Sequence, residues 1–158
     1  MYLHLYSMAS PKNLSRSELQ GVANRCVCRR LRGAARAVTR LYDDALRPTG
    51  LRTTQFTLLV AAELRGGAPI SELADALALE RTSLTRELKL LEERGLVSIK
   101  PGEDRRARIV ELTQAGQSAL ARAYPRWREA QGRVLEDTDH AGWSELAGRI
   151  AALEAAHG

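Results

Sequence analysis

Apolar positions along the chain recur mainly at helical spacing, with one short stretch of alternation that predicts a β-hairpin. Between residues 17 and 47 they predict one long helix, with an apolar stripe formed by Val27, Leu31, Ala34, Val38, Leu41 and Ala45. Pro48, Thr49 and Gly50 end that helix. The next helix is expected to supply domain core through Phe56, Leu58, Leu59, Ala62 and Leu64.

Residues 70 to 113 predict two short helices, a tight turn between them and a hairpin. The first helix has an apolar side formed by Ile70, Leu73, Ala74 and Leu77. The second helix, from about Arg81 to Arg94, turns Leu84, Leu88 and Leu91 inward at steps of four and three, and Gly95 is suited to a left-handed cap. Two alternating runs then flank a turn at residues 101–104, and they contain Val97, Ile99, Ile109, Val110 and Leu112.

The remaining residues predict two more helices, one starting after Thr113 and one starting at Asp137 or Thr138. Four residues on one side of the last helix are predicted to form a dimer contact, namely Trp143, Leu146, Ile150 and Leu153. We therefore expect a mainly α fold with a small β-wing. Its parts are a weakly ordered segment at 1–16, dimerisation helices at 17–47 and 114–158, and a winged helix-turn-helix domain at 48–113.

The distribution of charge indicates what kind of partner this fold binds. The net charge is +5 and the isoelectric point is near 9.7, which fits a polyanion. Residues 81–110 carry eight cationic and five anionic side chains. A helix that enters the major groove needs short polar and cationic groups on its free side, which here are Thr82, Ser83, Thr85, Arg86 and Lys89. Double-stranded DNA is the predicted partner.

The stretch RTSLTRELKLLEERGLV, the tripeptide Asp104-Arg105-Arg106 and the LTQAG that follows resemble the MarR family of bacterial transcription regulators, and the similarity extends over residues 25–155. The resemblance implies that Arg106 enters a minor groove, that Asp104 orients the wing, and that Arg105 adds charge at its tip. It also implies a homodimer on a pseudo-palindromic operator, acting as a repressor that a small acidic or aromatic effector releases.

Two features of the first helix could sense a signal, one by binding an effector and one by oxidation of a cysteine. Arg32, Arg36 and Arg40 could pair with an acidic effector, beside an aromatic wall from Tyr42 and Phe56. The alternative is a solvated face with neighbouring aspartates as partners.

Cys28 precedes Tyr42 by 14 residues, the spacing found in the organic-peroxide-sensing branch that the family resemblance brings in. A second tyrosine expected in that branch is replaced by Thr53, and arginines follow the cysteine. Cys26 and Cys28 are poorly placed to bond within one helix. A packing role for Cys28 is the alternative to redox sensing.

Other classes find little support. Two cysteines indicate a reducing cytoplasm, no apolar run is long enough to span a membrane, and no Cys/His spacing suggests a metal. No phosphate-binding loop or nucleophile motif is present, so neither a cofactor nor an enzymatic activity is expected. A winged-helix interaction adaptor and a nucleoid-type DNA binder remain as alternatives.

Overall fold

The computed structural model describes residues 13–103 and 107–157. The predictions for Asp104, Arg105 and Arg106 lie outside these residues, as does most of the segment predicted to be weakly ordered. The chain divides into two compact units, one ending at Ala37 and one beginning at Val38. In chain order the elements are α1 (Arg16–Arg25), α2 (Val27–Leu46), a 3-10 turn (Arg47–Thr49), α3 (Thr53–Leu64), β1 (Ala68–Pro69), α4 (Ile70–Ala76), α5 (Arg81–Glu93), β2 (Val97–Pro101), β3 (Arg108–Leu112), α6 (Gln114–Thr138) and α7 (His140–His157).

The prediction of one long helix over 17–47 is wrong, because the backbone leaves the helical region at Cys26, where ψ is 111°. The Cys26 amide closes α1 by donating to the Val22 carbonyl, and its carbonyl accepts from the Arg30 amide in the first turn of α2. Two conditions favour a break here. Like charges four residues apart, such as Arg25 and Arg29, repel each other along a continuous helix, and α1 buries no side chain that would hold the two parts in line.

The start of α1 is set by a capping box that depends on two side chains. The Glu18 amide donates to the Ser15 hydroxyl at 3.3 Å, and the Ser15 amide donates back to the Glu18 carboxylate at 2.7 Å. Hydrogen bonds from the Ser15 hydroxyl and then from its amide lower the pKa of Glu18 below its ordinary value. The short helix is thus held at its N-terminus by local bonds.

The core of the unit beginning at Val38 is built where α3, α4, α5 and α6 meet a small sheet. Its largest fully buried side chains are Leu46, Leu58, Leu59, Leu73, Leu84, Leu88, Leu91 and Val110. The inward positions predicted for the two short helices are therefore confirmed for Leu73 and for the three leucines of α5. Leu64 was expected in this core but is 80% exposed, because it lies at the end of α3 on an open cavity bounded by α3, the end of α4 and α6.

The predicted hairpin is confirmed as the antiparallel pair β2 and β3, in which Ile99 lies opposite Val110. The two-residue strand β1 adds to the other edge of β3 and gives the order β1-β3-β2. Gly95 takes a φ of +69°, as expected of a left-handed residue after a helix. The fold is mainly helical with a small β-wing, as the sequence predicted.

The C-terminal part contains two helices separated by one residue. Thr113 caps α6 by accepting from the Gly116 amide at 3.0 Å, and Pro125 lies within that helix without ending it. The last helix begins at His140 rather than at Asp137 or Thr138. The reason is local, since Asp139 takes a positive φ of 49° and its carboxylate accepts from the Gly142 amide at 2.6 Å. Among the described residues, no helix is long and apolar enough to cross a membrane.

Candidate nucleic-acid interface

Helix α5 is anchored on one side and free on the other. Leu84, Leu88 and Leu91 hold it in the core. The five side chains predicted to contact DNA are all exposed on its remaining surface, namely Thr82, Ser83, Thr85, Arg86 and Lys89. The structure therefore brings this predicted set together on one solvent-facing side.

The polar groups of this surface differ in how far they are already engaged. The Thr85 hydroxyl donates to the Arg81 carbonyl at 2.8 Å, which leaves its oxygen as an acceptor. The Lys89 ammonium lies 3.9 Å from the Glu93 carboxylate in an exposed pair, which water screens strongly. The Arg86 side chain is 76% exposed. Its charge is thus available to a base edge or a phosphate.

The hairpin that follows α5 forms the second wall of a shallow groove of about 340 Å³. Thr85 and Lys89 line it from the helix, and Ile99 and Arg108 line it from the strands. The Ile99 amide donates to the Glu92 carboxylate at 3.3 Å, which joins the first strand of the hairpin to α5. The sequence predicted Arg108 only as part of the local positive charge, whereas the structure places it in the same groove as Lys89. The pairing of Arg108 with Pro101 across the strands decides that placement.

The turn between α4 and α5 contains a left-handed residue that the sequence did not predict. Ala78 takes a positive φ of 49°, although it has a Cβ and no glycine is present in this turn. Its amide donates to the Asp75 carbonyl at 3.3 Å, and the Leu79 amide donates to the Ala74 carbonyl at 3.0 Å. These bonds close the turn and set the direction in which α5 leaves it.

A buried polar cluster lies behind α5 and was also missed from the sequence. Glu87 and Gln55 are 8% and 6% exposed, and the Gln55 amide donates to the Glu87 carboxylate at 3.0 Å. The Gln55 carbonyl oxygen accepts from the Arg52 backbone amide at 3.2 Å and from the Arg94 guanidinium at 3.5 Å. A helical pattern of leucines with one glutamate among them was the only available signal. Glu87 and Gln55 form the buried pair of this cluster, and the exposed residues Arg52 and Arg94 join it at its edge.

The residues predicted to bind an effector are divided between the two units. Arg32 and Arg36 are exposed in the unit that ends at Ala37, whereas Arg40 is exposed in the other unit. Tyr42 and Phe56 are buried, and their rings lie 6.4 and 6.0 Å from the Trp127 ring. The Tyr42 hydroxyl donates to the Gln131 side chain, and burial raises the pKa of Tyr42.

A wide cavity of about 1020 Å³ opens beside this aromatic cluster, between α3, the end of α4 and α6. Apolar and aromatic side chains form most of its lining, and they include Phe56, Val60, Leu64, Leu120, Tyr124 and Trp127. Arg65 and Glu63 also line it and supply charge of both signs. Arg65, which the sequence did not single out, is thus a cation placed beside an aromatic wall.

Most of the remaining predicted residues are exposed. Cys28 is exposed and Cys26 is partly buried at the helix break, and both are free thiols. On α7, Trp143, Leu146 and Leu153 are exposed and Ile150 is partly buried. Within the described part of the chain, no group of three or more histidine, cysteine or acidic side chains could hold a metal ion.

A core-anchored helix with a polar outer side, preceded by a helix and a turn and followed by an antiparallel hairpin, defines a winged helix-turn-helix protein. The family model described as MarR family matches residues 49–107. An HTH-type transcriptional regulator of Bacillus subtilis, YwoH, is 31% identical over 114 residues, which is 72% of this chain and 83% of that protein. The chain therefore belongs to the MarR family of transcription regulators, and it is not an enzyme.

Solved structures agree with this assignment. The M. tuberculosis transcriptional regulator MosR, in complex with DNA, is 39% identical, with a TM-score of 0.73 over 84% of this chain and 98% of that one. The transcriptional repressor CouR, bound to a 23-mer DNA duplex, is 26% identical, with a TM-score of 0.76 over 85% of this chain and 96% of that one. The winged fold is thus shared along nearly the full length of both neighbours.

Proposed function

We propose that this regulator is a homodimeric repressor that binds a pseudo-palindromic operator, with α5 in the major groove of each half-site. The observation that carries this proposal is the exposed set of short polar and cationic side chains on a helix whose other side is held in the core. The DNA complexes of MosR and CouR support it, because both proteins share this fold.

The wing is proposed to contact the flanking minor groove or its phosphates. Arg106 is the predicted inserting residue, with Arg105 beside it and Asp104 orienting the tip, although all three lie outside the described residues. Support comes from the strands that lead to the tip. Arg108 is exposed and lines the groove beside α5. The Gly102 amide donates to the Ala107 carbonyl at 2.8 Å, which continues the pairing of the two strands one residue beyond Pro101 and Arg108.

The direct test is selection of bound DNA sites at physiological salt, followed by base-by-base substitution of the selected operator. Arg86→Ala should reduce discrimination at one or two base pairs by about 1–3 kcal/mol, as expected for a lost bidentate base contact. Arg122→Ala is a matched control, because Arg122 is an exposed arginine on α6 rather than α5. An unchanged base preference in Arg86→Ala would remove Arg86 from the interface, and an adaptor would bind no DNA at all.

Dimerisation is proposed to use the exposed side of α7. Trp143, Leu146 and Leu153 share one side of the helix, and each is at least one-third exposed in the single chain. A row of large apolar groups facing water is unfavourable, and a second copy of the chain would cover it. A dimer would also supply the two recognition helices that a pseudo-palindrome needs.

Release from DNA is proposed to follow binding of a small aromatic acid in the cavity between α3 and α6. Phe56, Tyr124 and Trp127 would contact its ring, and Arg65 would pair with its carboxylate. Of the residues predicted from the sequence for this role, Phe56 lines the cavity, while Tyr42 is buried against Trp127. The ligand can release DNA only through a difference in affinity between the bound and released conformations.

Calorimetric titration with aromatic acids, with and without operator present, tests this step. Arg65→Gln should weaken binding of the aromatic acids while leaving operator affinity unchanged. If the wild-type protein binds none of the aromatic acids, the proposed effector site is wrong. Redox release is the second candidate, favoured by the exposed free thiol of Cys28. Release by peroxide in wild type and in Cys26→Ser, but not in Cys28→Ser, would select it over the ligand.

A further inference from the structure

Glu87 is a carboxylate on the inner side of the recognition helix, at a position surrounded in sequence by buried leucines. It is 8% exposed and lies three residues after Leu84 and one before Leu88, both fully buried. A carboxylate in such a place loses its hydration, and an apolar residue of similar volume would usually serve stability at least as well. The position therefore calls for an explanation other than core packing.

The two oxygens of this carboxylate have different partners. One oxygen accepts from the Gln55 amide of α3 at 3.0 Å, and the other lies 3.9 Å from the Arg86 guanidinium. Arg86 belongs to the exposed set proposed to contact DNA, whereas Gln55 is buried. Glu87 thus joins a base-contacting candidate to the scaffold behind the helix.

Gln55 is itself held by two hydrogen bonds, one from the residue that precedes α3 and one from the residue that follows α5. The Arg52 backbone amide at the start of α3 and the Arg94 guanidinium after the end of α5 both donate to its carbonyl oxygen. Because its oxygen is engaged by these two donors, its amide nitrogen is left to face Glu87. The orientation of the Gln55 side chain is therefore determined by three groups, namely the Arg52 amide, the Arg94 guanidinium and the Glu87 carboxylate.

We propose that Glu87 is a positioning residue for DNA recognition, which restrains the Arg86 guanidinium and sets the rotation of α5 against α3 through Gln55. This inference rests on the proposed function. An exposed arginine samples many side-chain rotamers, and a charge partner on its inner side reduces that freedom before DNA is met. The expected benefit is base discrimination, which depends on the direction of the guanidinium, more than overall affinity.

The test compares Glu87→Gln with Glu93→Gln on the selected operator and on its single-base variants. Both substitutions remove one negative charge from α5, but Glu93 is exposed on the outer side and its cation partner is Lys89, at 3.9 Å, rather than Arg86. Both should therefore tighten binding to all DNA through the charge change. Only Glu87→Gln should lower discrimination, by about five- to tenfold, and at the base pairs that Arg86→Ala identifies.

A second pair of variants tests the path through Gln55. Gln55→Glu places two carboxylates within hydrogen-bond distance and should disturb α5. Combining it with Glu87→Gln exchanges amide and carboxylate and restores one donor and one acceptor between α3 and α5. Because position 87 then carries no charge beside Arg86, discrimination should rise from the level of Gln55→Glu to about that of Glu87→Gln alone. Urea unfolding of each variant gives stability alongside specificity.

The base profiles of these variants distinguish a positioning role of Glu87 from a purely structural one. Loss of discrimination in Glu87→Gln at the Arg86 positions, with the exchanged pair matching Glu87→Gln and exceeding Gln55→Glu, supports the inference. If Glu87→Gln shows the same base profile as Glu93→Gln, and differs only in stability, Glu87 is a structural residue and the inference is wrong. If wild type shows no base preference, the proposed function fails first, and the inference fails with it. Should Gln55→Glu not fold, the comparison of Glu87→Gln with Glu93→Gln decides alone.

Discussion

Gly116 lies where α6 begins, and replacing it with alanine should weaken the attachment of that helix to the wing. A Cβ at this position would lie 2.0 Å from the Leu96 carbonyl oxygen and 3.0 Å from its carbon, both of them backbone atoms. Carbon and oxygen in van der Waals contact stay roughly 3.2–3.5 Å apart, so one backbone would have to move by more than about 1 Å. A flexible side chain is not available to absorb this displacement.

The hydrogen bonds that this displacement would break determine how much stability Gly116→Ala loses. The Thr113 amide donates to the Leu96 carbonyl at 3.1 Å, and the Thr113 hydroxyl donates to the Gly95 carbonyl at 2.6 Å. Losing both costs about 2 kcal/mol, and a weakened N-cap adds about 1 kcal/mol. Alanine returns up to about 1 kcal/mol through its higher helix propensity. The net loss should be about 2 kcal/mol in the free energy of unfolding, or a fall of roughly 4–8 °C in melting temperature.

Gly132→Ala supplies the matched control in the same helix. A Cβ at Gly132 meets no atom within 4 Å, so the substitution should raise stability by about 0.5–1 kcal/mol. Urea unfolding followed by circular dichroism, at one protomer concentration because association contributes to stability, would compare the two. Equal midpoints for wild type and Gly116→Ala, or shifts of the same sign and size in both variants, would refute the steric argument.

Three further predictions concern assembly, the wing and alkaline pH. Leu146→Glu places a charge on the proposed dimer contact and should give monomers in sedimentation experiments at micromolar concentration, while Ser144→Glu should stay dimeric. Arg106→Ala should lower the slope of log affinity against log salt by about one unit, and an unchanged slope would mean that the wing tip does not contact phosphate. Because burial raises the pKa of Tyr42, its contribution to stability is complete below about pH 10 and is lost as pH rises through its folded value. Tyr42→Phe should therefore lose less stability than wild type in alkaline urea titrations.

Local signals in the sequence determined the elements of the winged domain. The leucines of α5 recur at helical spacing, Gly95 accepts a left-handed conformation without strain, and Val97 and Ile99 alternate with polar residues. Each of these signals depends on residues close together in the chain, so the helix, its end and the hairpin followed from the sequence. The exposed polar set on α5 followed too, because it lies on the sides that the leucines leave free.

Contacts between distant residues were decided only by the tertiary structure. Gln55 and Glu87 are 32 residues apart and meet because α3 packs behind α5, and no local pattern indicates such a pair. Leu64 has the apolarity of a core residue, yet it faces a cavity because the packing of α6 leaves that side of α3 open. The break at Cys26 was missed for the opposite reason: periodicity predicts helix, but it does not report whether anything is packed against it. Burial is a property of the folded neighbourhood, and the sequence specifies that neighbourhood only through the whole fold.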